Sequence, residues 1–189
     1  MFLPENYREP VTDNYMRFAD GKNVFRVLSE AIVGMEYWKT ETNENGEEVR
    51  KPVRIKVDER IPTEELGFDK WGNPEFPKHF WAFVVYNRAA EKIQILEITQ
   101  KKIQRAIKSL VDDEDWGDPK DYDICVTRSG EKLETEYIVQ GKPKAKLDES
   151  ILEEYKVLNI NLKALFSGAD PFAKKNDDEI DIEEIAKEL

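Results

Sequence analysis

Residues 79–87, HFWAFVVYN, form a nearly unbroken apolar and aromatic run. A strand of this kind is either covered on both faces or keeps one face for a ligand. Its alternation separates His79, Trp81, Phe83 and Val85 from Phe80, Ala82, Val84, Tyr86 and Arg88. The short turn NRAAEK leads into KIQILEIT, 92–99, so the two runs read as a hairpin. The period then changes. Ile103, Ala106, Ile107, Leu110 and Val111 fall at i, i+3, i+4, i+7 and i+8 and predict an amphipathic helix, with Thr99 placed to cap it.

The flanking segments add further strands. NVFRVLS, 23–29, continues into AIVGMEYW, 31–38, where Gly34 marks a bulge or sharp bend in one long strand. Asn45-Gly46 is a hairpin signal before VRKPVRIKV, 49–57. Residues 1–20 read as irregular, and 58–78, rich in Pro and Gly, as a long loop. YDICVTRSGEKLETEYIVQG predicts a second hairpin, with strands near 122–128 and 134–140 and a turn at Ser129-Gly130. A short helix follows near 148–156, and the periodic apolar content ends at Ser167. The expected arrangement is an OB barrel, five strands with one helix between the third and fourth. The expected fold is therefore mainly β: an OB-like barrel domain over 1–166, with an elaborated first loop, and a disordered acidic tail over 167–189.

Composition excludes several classes. A lone Cys125 and a lone His79 supply neither a disulfide framework nor a four-ligand zinc site. No metal or cofactor is expected. The acids at 112–118 lack the calcium-loop pattern and read as a solvated loop. No nucleophile–base set or phosphate-binding glycine loop occurs, so an enzyme is not expected. The beginning of the chain has no signal-peptide pattern and no run is long enough to span a membrane, so a cytoplasmic protein is expected.

The net charge of −11 argues against a generally basic nucleic-acid binder. Residues 176–189, however, hold seven acids against Lys187, a balance of −6. The rest is mildly acidic, so a nucleic-acid site has to be a local patch. Arg50, Lys51, Arg54 and Lys56 are the densest basic group of the body, and 50, 54 and 56 share a strand face. They fit a phosphate track or, more plainly, a solvated face. Tyr37, Trp38 and Lys39 stand at the mouth of the first loop, where one aromatic either stacks a base or closes the barrel. Trp71 either stacks or pins its loop. His79, Trp81, Tyr86 and Arg88 offer further stacking and charge, and Arg128 and Lys132 flank the last hairpin turn.

Three stretches, 15–38 (YMRFADGKNVFRVLSEAIVGMEYW), 77–110 (PKHFWAFVVYNRAAEKIQILEITQKKIQRAIKSL) and 115–137 (DWGDPKDYDICVTRSGEKLETEY), resemble the bacteriophage single-stranded-DNA-binding, or helix-destabilising, replication proteins. The resemblance implies an OB fold, coating of exposed single strands and an acidic tail that contacts replication partners. The zinc module of some members is not carried over, and the tail ends EEIAKEL without a terminal Phe.

The expected function is non-enzymatic, sequence-independent binding and protection of single-stranded DNA in phage replication and recombination, with RNA an open alternative. Asp177, Asp178, Glu179, Ile182, Ile185 and Leu189 are the expected tail contacts to a polymerase, helicase or primase. A homodimer is compatible with the sequence. The competing reading is an acidic DNA mimic or interaction protein acting on a host nucleic-acid enzyme.

Overall fold

The computed structural model describes residues 13–174. The strands are β1 (Tyr15–Met16), β2 (Gly21–Val27), β3 (Ile32–Thr42), β4 (Glu48–Lys56), β5 (Lys78–Asn87), β6 (Lys92–Ile98), β7 (Asp123–Ser129) and β8 (Glu136–Gly141). The helices are α1 (Lys101–Asp112), between β6 and β7, and α2 (Glu149–Leu158). All eight strands join one mixed sheet, ordered β1-β6-β5-β2-β7-β8, with β3 on β5 and β4 on β3.

The expected single bent strand is divided into two, β2 and β3. Both run along the same edge of β5: Val27 faces Val85 and Ile32 faces Ala82. The interruption lies at 28–31 rather than at Gly34. Across the gap Leu28 N donates to Val84 O (2.8 Å), and Val84 N donates to Ser29 Oγ (2.9 Å), so the β5 backbone stays paired. Gly34 answers a different need. A Cβ there would run into Ile55 O and lie 2.7 Å from the Phe80 ring and 2.9 Å from that of Phe166.

The expected closed barrel of five strands is not formed. The divided strand sends β2 to β7 and β3 to β4, so the sheet branches at β5 and stays open among the described residues. The segment read as irregular contributes β1, parallel to β6, with Tyr15 facing Ile95. Two residues carry no alternation to read. The long loop contains a 3₁₀ turn, Thr63–Glu65, and a small bridge between Phe68 and Pro74. The N-cap of α1 is Gln100, not Thr99, and its side chain makes no capping bond. Instead Thr99 N donates to Gln100 Oε1. Asp148 caps α2 by accepting from Ser150 N (2.9 Å).

The apolar run of β5 is covered on both faces. Phe83 and Val85 join Phe25, Leu96, Ile98 and Ile124 in a core closed by Ile103 and Ile107 of α1. Phe80, Ala82 and Val84 join Ile93 and Ile95 under Leu147, Ile151, Leu162 and Leu165. Cys125 is buried as a free thiol. Arg26, 2% exposed, crosses from β2 to three other segments: Nε donates to Asp123 Oδ1 (2.7 Å), and Nη1 to the carbonyls of Lys120 (3.2 Å) and Ala145 (2.9 Å). β4 is an edge strand, paired only with β3 among the described residues, and Pro52 sits at its middle.

Candidate nucleic-acid interface

The register of three strands builds a concave surface. Glu36 faces both Arg54 on β4 and Lys78 on β5, Trp38 faces Pro52, and Thr40 faces Arg50. Directly opposed residues share a face, so Glu36, Trp38, Arg50, Arg54 and Lys78 project to one side. The core under α2 covers this face of the sheet at β5 and β6 but leaves this corner open. Two clefts result. One, of about 400 Å³, is lined by Glu36, Trp38, Arg50, Glu75, Phe76 and Lys78. The other, of about 480 Å³, adds Tyr15, Arg17, Pro52 and Glu97. Both share Glu36 and Trp38, so they form one groove.

Aromatic and cationic groups alternate along it. Trp38 is 39% exposed, with the Arg50 guanidinium 5.4 Å from its ring centroid. Phe76 is 79% exposed. Arg50 pairs with Glu75. Arg54 lies between two carboxylates, 3.1 Å from Glu36 and 2.7 Å from Glu97, and over the Phe80 ring.

Glu36 is buried, and its Oε2 meets the Arg54 guanidinium at 3.1 Å without an aligned hydrogen bond among the described residues. Burial foremost, then the neighbouring Glu97, pushes its pKa up to about 8, against the pull of Arg54 and Lys78. A protonated Glu36 has Glu97 to donate to, which removes the conflict. With Glu36 neutral, the cations Arg17, Arg50, Arg54 and Lys78 face only Glu75 and Glu97. Even with Glu36 counted as charged, the four cations outnumber the three carboxylates of the groove, on a protein of net charge −11.

This proton has a cost at high pH. The folded state holds it above the ordinary carboxyl pKa of 4.5, up to about 8. Stability from this group is therefore full below pH 4.5 and is lost as pH rises through 8. Glu36→Gln, which mimics the protonated form, is expected to flatten that loss and to exceed the wild type by roughly 1–3 kcal/mol at pH 8.5. Urea melts of both proteins at pH 5 and 8.5 check this; parallel pH dependences would refute it.

The other residues singled out from the sequence lie elsewhere. Tyr37 is buried, its hydroxyl donating to Glu65 (3.1 Å), which with burial raises its pKa to about 12. It is therefore not open to stacking, because alternation turns it away from Trp38. Lys39 and Lys51 share that opposite face and meet Glu41 at 3.5 and 3.3 Å. Lys56 faces Gly34, on the groove side but beyond the clefts. Trp81 packs against the core under α1, and His79 lies half-buried on the same face. Arg88 covers the Tyr86 ring at 5.3 Å and binds Asp123 (3.0 Å), which makes both part of the Arg26 cluster. Arg128 is held by Asp20 (2.7 Å), and Lys132 is exposed with φ 53°.

Trp71 is 74% exposed at the tip of its loop, with Lys70 Nζ 4.3 Å from its ring centroid. It does not pin the loop. Asp69 does so, accepting from Trp71 N (2.8 Å) and Asn73 N (2.9 Å). The tail contacts Asp177, Asp178, Glu179, Ile182, Ile185 and Leu189 lie outside the described residues.

Sequence reasoning missed Tyr15, Arg17, Phe76 and Lys78. The visible signal was Phe76 itself, an aromatic between Pro74 and Pro77 with no apolar pattern around it to bury it. Among the described residues no group of three or more His, Cys, Asp or Glu is arranged to hold a metal ion. No helix there is long and apolar enough to cross a membrane.

Comparison with known proteins finds a similarity to the "Probable ssDNA-binding protein" of Escherichia phage T5. The two are 29% identical over 144 residues, which cover 67% of this chain and 54% of that protein. The chain thus spans about half the length of this relative. No protein-family model matches, and no solved structure matches.

Proposed function

We propose that the chain binds single-stranded DNA without sequence preference and without catalysing a reaction, through the groove around Trp38. The observation that carries this is the meeting of exposed Trp38 and Phe76 with Arg17, Arg50, Arg54 and Lys78 in a net positive cleft, on a protein of net charge −11. Bases stack on aromatic faces whatever their identity, and cations track the phosphates. The name of the phage T5 relative supports the same reading. Trp71 and Lys70, on the loop that also carries Phe76, provide a second stacking arm beside the groove. The divided β2–β3 strand and the placement of α1 after β6 are the features by which we relate the sheet to an opened OB barrel.

In a phage, this activity would protect single strands during replication and recombination in the host cytoplasm. The acidic segment from 176 onward would meet replication proteins through its acids, since Phe172 before it still packs on the core.

Titration of an oligo-dT by tryptophan fluorescence at several salt concentrations tests the reading. Saturable quenching is expected, weakening with salt at a log–log slope of about −0.7 per phosphate held. Absence of binding at low salt would sink it. A matched oligo-U in parallel separates DNA from RNA preference.

A further inference from the structure

The exposed side of α1 carries a charge pattern that its fold does not require. Lys101, Lys102, Arg105 and Lys108 are all exposed, and no acid precedes Asp112 in the helix. Lys108 pairs with Asp112, whereas Lys101, Lys102 and Arg105 form no ion pair among the described residues. Elsewhere Lys39, Arg50, Lys51, Arg54, Arg88 and Arg128 each meet a carboxylate, whereas Arg17 and Lys78 of the groove, like the α1 cations, form no ion pair among the described residues. The order of charge also opposes the helix dipole, which favours acids in the first turn and bases in the last. Here the bases come first, and Asp112, Asp113, Glu114 and Asp115 come at the end.

The groove leads to this surface. A further cleft of about 470 Å³ is lined by Phe76, Lys78, His79, Thr99 and Lys101, together with Met35 and part of the 69–77 loop. It shares Glu75, Phe76 and Lys78 with the groove. Its acids are already engaged: Glu75 holds Arg50, and the loop N–H groups hold Asp69, whose pKa they lower. The step from sheet to helix is fixed, because Gln104 Nε2 donates to His79 O (3.1 Å) and to Ile98 O (2.9 Å).

We infer that a single strand leaving the groove passes over the start of β5 and lays its phosphates along α1, on Lys101, Lys102 and Arg105. This rests on the reading of the groove as a single-strand site. The cations from 101 to 108 span about 10 Å of helix, room for two or three phosphates of an extended strand.

The test compares the full chain with K101Q/K102Q/R105Q, and with K142Q/K144Q/K146Q as a control of equal charge change. Each is titrated with an oligo-dT of about 4 nucleotides and one of about 16. On the long oligomer the α1 variant is expected to bind at least tenfold more weakly, with a salt slope shallower by about 1.4–2. On the short oligomer it should match the unaltered chain. Because the replaced charges oppose the dipole, its Tm should hold or rise, which separates lost contact from lost fold. Unchanged affinity and slope on the long oligomer, or an equal loss in the control, overturns the path. Failure of the unaltered chain to bind either oligomer removes the groove reading and this one with it.

Discussion

Replacing Arg26 by Met is expected to destabilise the protein by about 3–5 kcal/mol, because it leaves two carbonyls without their donor and takes from the partly buried Asp123 the nearer of its two guanidinium partners. Arg26 is 2% exposed and ties β2 to Asp123 of β7, to the turn at Lys120 and to Ala145 in the link before α2. A long apolar side chain fills much of the volume but donates nothing. Asp123 keeps Arg88, through bonds of 3.0 and 3.1 Å, but that arginine is 36% exposed and reaches neither carbonyl. Arg88→Met should therefore cost distinctly less. Urea denaturation at neutral pH measures both. An Arg26→Met protein within about 1 kcal/mol of wild type would show that water replaces the guanidinium and that the cluster is not a buried keystone.

The second large effect concerns binding. Trp38→Ala and Phe76→Ala are each expected to weaken oligo-dT binding by about 1–3 kcal/mol, from roughly fivefold to more than a hundredfold. Both side chains are exposed, so their removal should leave the melting temperature near that of the wild type. Trp38 also holds the Arg50 guanidinium against its ring, so part of its effect is lost positioning of a cation. Trp38→Phe, which keeps a ring there, should recover much of the affinity. Equal binding by Trp38→Ala and wild type would move the site away from this groove.

The elements that could be read from the sequence are those whose pattern is local. β5 and β6 follow from alternation and α1 from its 3.6-residue period. The unbroken apolar run of β5 carries the mark of two covered faces. The shared face of Arg50, Arg54 and Lys56 likewise follows from spacing within one strand. What could not be read is what lies opposite. Glu36, Glu97 and Glu75, which take up Arg54 and Arg50, arrive from other strands and a loop through registers that no single segment encodes. Barrel closure failed as an expectation for the same reason: it depends on which edges meet, and the break at 28–31 redirects them. Tyr37 and Trp38, neighbours in sequence, end on opposite faces, one buried and one in the groove.

If several copies bind one strand, as the proposed function would allow, the outer edge of β4 has a consequence. Copies lined along one strand meet at high local concentration, where a bare sheet edge invites fusion into a continuous ribbon. Pro52 removes one N–H from that edge, and Glu48, Arg50, Lys51 and Lys56 keep it charged. Such neighbours would then crowd against this side and still come apart.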